Sequence, residues 1–94
     1  MANDANFNYP MLAGWDTNDI VKASALYSAV SEAYEGGISR DKLLAVYADF
    51  KTVVTSKDEE KKIGKQFEAE SHYSIYRTIQ TAQQSTRKMI VMEG

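Results

Sequence analysis

The sequence predicts an all-α protein: a compact antiparallel bundle of three to four short helices with an extended N-terminal arm. Three observations carry this prediction. Apolar residues recur at three- and four-residue steps in separate segments, which is helical periodicity. A Ser, Thr or Asp able to cap a helix stands before each segment. The connections are short, so successive helices must fold back on one another. At 94 residues the chain makes one helical domain, 1–94.

Residues 1–6 are polar and expected to be mobile, as termini usually are. Phe7 to Leu12 is mostly apolar, but Pro10 restricts Tyr9 to extended geometry, so this is an arm laid over the core. Gly14 permits a turn before Trp15. The first helix starts at Asp16 or Thr17, where either side chain can cap free amides and Asp19 complements the helix dipole. Ile20, Ala23, Tyr27, Val30 and Tyr34 give it one apolar face, widened by Leu26 and Ala33. Gly36-Gly37 ends it.

Ser39 caps the second helix, with Leu43, Val46, Tyr47, Phe50 and Val54 on one face and Leu44 beside them. Thr55-Ser56 breaks that pattern, and Ser56 with Glu59 three residues on reads as a capping box. The third helix has only Ile63 and Phe67 as anchors and is expected to be the most exposed. Gly64 inside it costs about 1 kcal/mol relative to alanine unless another backbone packs close there. Ser71 to Ser74 is a turn, and Ser74 caps the last helix. Tyr76, Ile79, Ala82 and Gln83 are expected to share its face. Met89 to Met92 is an apolar tail that reads either as a further helical turn or as a strand-like segment on the core.

Composition excludes several functions. The net charge is -2, which disfavours a strongly basic nucleic-acid binder while leaving room for a local patch. There is no cysteine, so disulfides, thiol nucleophiles, thiolate zinc sites and iron–sulfur clusters are out. Met1 to Asp4 lacks the basic-then-apolar pattern of a signal peptide. No apolar run approaches the roughly 20 residues needed to span a bilayer. The expected location is the cytoplasm, with no membrane partner.

The residues Tyr9-Pro10, Trp15-Asp16-Thr17 and Ala33-Tyr34-Glu35 form a distinctive opening. Tyr47, Phe50-Lys51, Val54, Ser56-Lys57, Glu59-Glu60 and the segment Ser71 to Arg77 follow in order. Together they resemble the landmarks of the YktA-like family of small uncharacterised proteins from Gram-positive bacteria. The resemblance implies a short, cytoplasmic, all-α protein and carries no catalytic residues over. Two positions depart from it: Thr55 stands where a proline is expected, and His72 where a glycine is expected.

No chemistry is evident. His72 is the single histidine, and Glu68 four residues earlier is its one nearby candidate ligand, short of the three that a catalytic zinc needs. No nucleophile elbow or glycine-rich phosphate loop occurs. The run Lys57 to Glu70 holds four lysines and five acids and reads as a solvated face of mixed sign. No catalytic residue, metal or cofactor is therefore expected, and the chain is read as not an enzyme.

Two functional readings remain. In the first, the chain is a small protein-interaction or regulatory module. Its candidate surface is Phe7, Tyr9, Trp15, Tyr73, Tyr76 and Arg77, with the Met89–Met92 tail as a second apolar segment. The partner is a protein not identifiable from sequence; homodimerisation is one form, because a small domain with apolar termini gains burial by pairing. In the alternative, Ile63 to Phe67 and the helix starting near Ser74 form a helix-turn-helix. Ser74, Arg77, Thr78 and Gln80 would then meet DNA. The long Glu68-to-Tyr73 connection and the negative charge of Glu68 and Glu70 count against it.

Overall fold

A computed structural model describes residue 12 and residues 14–93. Four helices and a two-stranded antiparallel sheet follow in the order α1 (Thr17–Glu35), β1 (Ile38–Ser39), α2 (Arg40–Val53), α3 (Lys57–Ser71), α4 (Ile75–Gln84) and β2 (Met89–Ile90). The all-α reading holds, with this small sheet as an addition.

Each helix begins where a side chain takes up its free amides. Asp16 accepts from the amide of Asp19 at 2.8 Å, and the Asp19 carboxylate accepts from the amide of Asp16, a reciprocal capping box. Ser39 caps α2 and Ser74 caps α4. Ser56 accepts from the amides of Asp58 and Glu59 and so caps α3 from one side only. The last turn of α4 has no basic residue of its own. Arg40, at the start of α2, donates from Nε to the carbonyl of Ala82 at 2.7 Å instead.

The tail adopts the strand alternative. Ile90 pairs with Ile38 and Met89 with Ser39, which closes the chain across the bundle. Gly37 makes this possible. Its φ is +120°, and a Cβ there would meet Val91 Cγ2 at 3.0 Å, so both backbone and space require glycine.

α1 and α2 make the most extensive helix contact, and α4 packs across both. Tyr27 sits at the centre. Its ring stacks on Phe67 at 5.1 Å and meets Phe50 edge-on at 6.4 Å. Phe67 and Ile63 are fully buried, so α3 is anchored in the core by two large side chains. Most of its remaining residues are exposed, more than in any other described helix, as the thin stripe led one to expect.

α4 needs a correction. Its buried face is Ile75, Thr78, Ile79 and Ala82, while Tyr76 is 72% exposed and Gln83 is exposed. Thr78 is tolerated inside because its hydroxyl donates to the carbonyl of Ser74 at 2.6 Å.

Candidate functional site

The turn joining α3 to α4 determines how those helices stand. It is only residues 72–74, because α3 runs on to Ser71. His72 caps α3 in the left-handed conformation, φ 68°, at the position where the family resemblance led to an expected glycine. The turn is tied to the end of α1 in three ways. Tyr73 stacks on Tyr34 at 4.5 Å. The Tyr73 hydroxyl donates to the Glu35 carboxylate at 2.7 Å. The amide of Ser74 donates to the Tyr34 hydroxyl at 3.3 Å. A second tie joins α2 to α3: the Tyr47 hydroxyl donates to Glu60 at 2.7 Å, and Lys51 lies 3.9 Å from the same carboxylate.

Between these ties α3 and α4 enclose a groove of about 680 Å³. Its α4 side carries the exposed ring of Tyr76 above Ile75 and Ile79, then Gln80, Gln83 and Gln84. Its α3 side carries Lys57, Lys61 and Lys65 with Gly64 between them, and Glu60 and Glu68. Gly64 is not needed for the packing of the fold, since a Cβ there would meet nothing within 4 Å.

Three tyrosines hold their protons more tightly than an ordinary phenol. Burial pushes the Tyr27 phenol well above its ordinary value. Burial raises Tyr47 as well, with its bond to Glu60 adding to the effect. The bond to the Glu35 carboxylate raises Tyr73, with burial second. The Tyr47 and Tyr73 hydroxyls are donors, to Glu60 and Glu35. Among the described residues no group of three His, Asp or Glu side chains could hold a metal ion. No buried side-chain nitrogen or oxygen among them lacks a partner.

The surface read from the sequence divides. Phe7 and Tyr9 lie outside the described residues, as does the expected mobility of residues 1–6. Trp15 is half-buried against the core, and Tyr73 is held in its stack. Tyr76 and Arg77 are exposed, and of these two only Tyr76 lines the groove. In the tail, Ile90 is buried while Met89 and Val91 stay 51% and 59% exposed.

The helix-turn-helix arrangement gains a short turn and loses half its readers. The three-residue connection removes the objection of length. Both Ser74 and Thr78, however, are buried, Ser74 capping α4 and Thr78 donating to the Ser74 carbonyl, which leaves Arg77 and Gln80 outward.

The groove's lysines were missed because the run from Lys57 alternates in sign. The signal lay in spacing: Lys57, Lys61 and Lys65 stand four apart, on one helical face with Gly64 and Glu68.

No described helix is long and apolar enough to cross a membrane. The chain matches the Uncharacterised protein family UPF0223 over residues 6–91. It is 48% identical to a UPF0223 protein of Bacillus velezensis, across 92% of this chain and 98% of that one. It is 43% identical to a UPF0223 protein of Lactiplantibacillus plantarum, across 88% and 86%. A UPF0223 protein of Streptococcus gordonii is 42% identical, across 90% and 92%. The match over nearly the whole chain and these similarities show that the chain belongs to the uncharacterised protein family UPF0223.

Proposed function

We propose that this chain is a non-enzymatic interaction module that holds a protein partner in the groove between α3 and α4. One observation carries the reading: an aromatic ring left 72% exposed lines the same groove as a mid-helix glycine that nothing in the fold requires. A large exposed aromatic beside apolar floor residues is the usual anchor of a protein interface. A glycine kept in a helix at a cost of about 1 kcal/mol leaves room for something outside to approach. The proposal places this work in the cytoplasm and extends it to the YktA-like grouping that the landmarks resemble.

The experiment is a tagged pull-down from native lysate of a bacterium that carries a UPF0223 protein. Wild type is compared with Tyr76→Ala and Gly64→Gln, with and without nuclease. Proteins retained by wild type after nuclease and lost by both variants are the expected result. Partners that vanish with nuclease would transfer the assignment to nucleic acid. Retention by both variants would remove the groove from the account. A second copy of the chain among the retained proteins would make the groove a homodimer contact.

A further inference from the structure

We infer that the occupant of the α3–α4 groove is an amphipathic helix carrying a row of carboxylates along one edge. This rests on the reading of the groove as a protein-binding site. The two sides of the groove differ in charge. The α4 side is an aromatic ring and three neutral amides over Ile75 and Ile79. The α3 side carries Lys57, Lys61 and Lys65 together with Glu60 and Glu68. Among the described residues Glu60 is engaged by Tyr47 and Lys51, whereas Lys57, Lys61 and Lys65 form no ion pair. With Lys51 of α2, which pairs with Glu60, four lysines line the groove against Glu60 and Glu68, on a chain whose net charge is -2. The protein thus gathers positive charge where its apolar floor is open.

The spacing specifies the partner further. Lysines four residues apart on a helix repeat every ~6 Å along its axis. Carboxylates four apart on a second helix repeat at the same interval, so the two rows stay in register over several turns. The α4 side is 10 residues long, about 15 Å, which matches roughly three turns of a docked helix. Gly64 lies within the lysine row, where a side chain would hold a helix backbone away. An apolar face on Tyr76, Ile75 and Ile79 with an acidic edge on α3 is the helix-in-groove mode of recognition.

The test is an unbiased selection. A random-sequence peptide display library is enriched on the wild-type protein, and recovered peptides are measured by fluorescence anisotropy. The expected winners carry net negative charge with apolar residues at i, i+3 or i+4, and i+7. Their affinity should fall about tenfold in the triple variant Lys57→Gln, Lys61→Gln, Lys65→Gln, the sum of three exposed ion pairs. It should also fall as salt rises. Winners that are neutral or basic, yet lose binding in Gly64→Gln, would overturn the acidic partner and leave the groove as a binding site. Winners that bind Gly64→Gln as well as wild type, or an absence of any enrichment, would overturn both. A short oligonucleotide that displaces the winners at lower concentration than they bind would assign the lysine row to phosphates instead.

Discussion

The α1–α2 pair and the α3–α4 pair are built from the same materials and end differently. Both are amphipathic helices with side-chain caps and short connections. In the first pair the large apolar residues turn inward, and Leu26, Tyr27, Leu43 and Phe50 are fully buried. Val21 alone stands out on that pair. In the second pair one side is core, through Ile63, Phe67, Ile75 and Ile79, and the other is an open groove holding Tyr76 and Gly64. The contrast separates two uses of a tyrosine at helical spacing. Tyr27 holds the fold together, and Tyr76 stands outside it.

The largest effect expected from this comparison is at the junction of the pairs. Phe67→Ala removes the ring stacked on Tyr27 and should cost about 3–5 kcal/mol, read as a lowered urea midpoint. Tyr76→Ala should stay within about 0.5 kcal/mol of wild type. Equal losses would erase the distinction between the two tyrosines.

pH gives the next largest effect. In the folded chain Tyr27, Tyr47 and Tyr73 hold their protons more tightly than an ordinary phenol. Below about pH 10 both folded and unfolded chains are protonated, and the stabilisation is complete. Above it the unfolded chain loses protons first, so stability falls as pH rises. Melting temperatures measured from pH 8 to 11 should therefore drop beyond about pH 10. Tyr47→Phe should flatten the slope.

Gly64→Ala should raise stability by about 1 kcal/mol, because nothing opposes the added methyl. A loss would mean that the glycine serves the fold after all. The smallest effect is at the turn. His72→Gly should gain up to about 1 kcal/mol by relieving a left-handed histidine, seen as a higher urea midpoint.

The sequence revealed what is local. Asp16, Ser39, Ser56 and Ser74 each cap the helix that follows, because a cap needs only a side chain and amides two or three residues on. It hid what is distant. Ile38 and Ile90 pair across the whole chain, and two-residue strands have no periodicity to read. It also hid compensation. Thr78 was counted as a polar reader on the surface, and its bond to Ser74 lets it replace Tyr76 on the buried face. The groove was half visible. Its lysine spacing was on the page, but only the fold separates Lys57, Lys61 and Lys65 from the acids at Asp58 and Glu59, which do not line it.

The central claim is that the open side of the α3–α4 pair serves binding and not folding. The most direct measurement is the affinity of a selected peptide for Gly64→Gln beside wild type, with the melting temperature of both proteins recorded. The account predicts at least a tenfold loss of affinity at an unchanged or higher melting temperature. Unchanged affinity in a folded variant would contradict it.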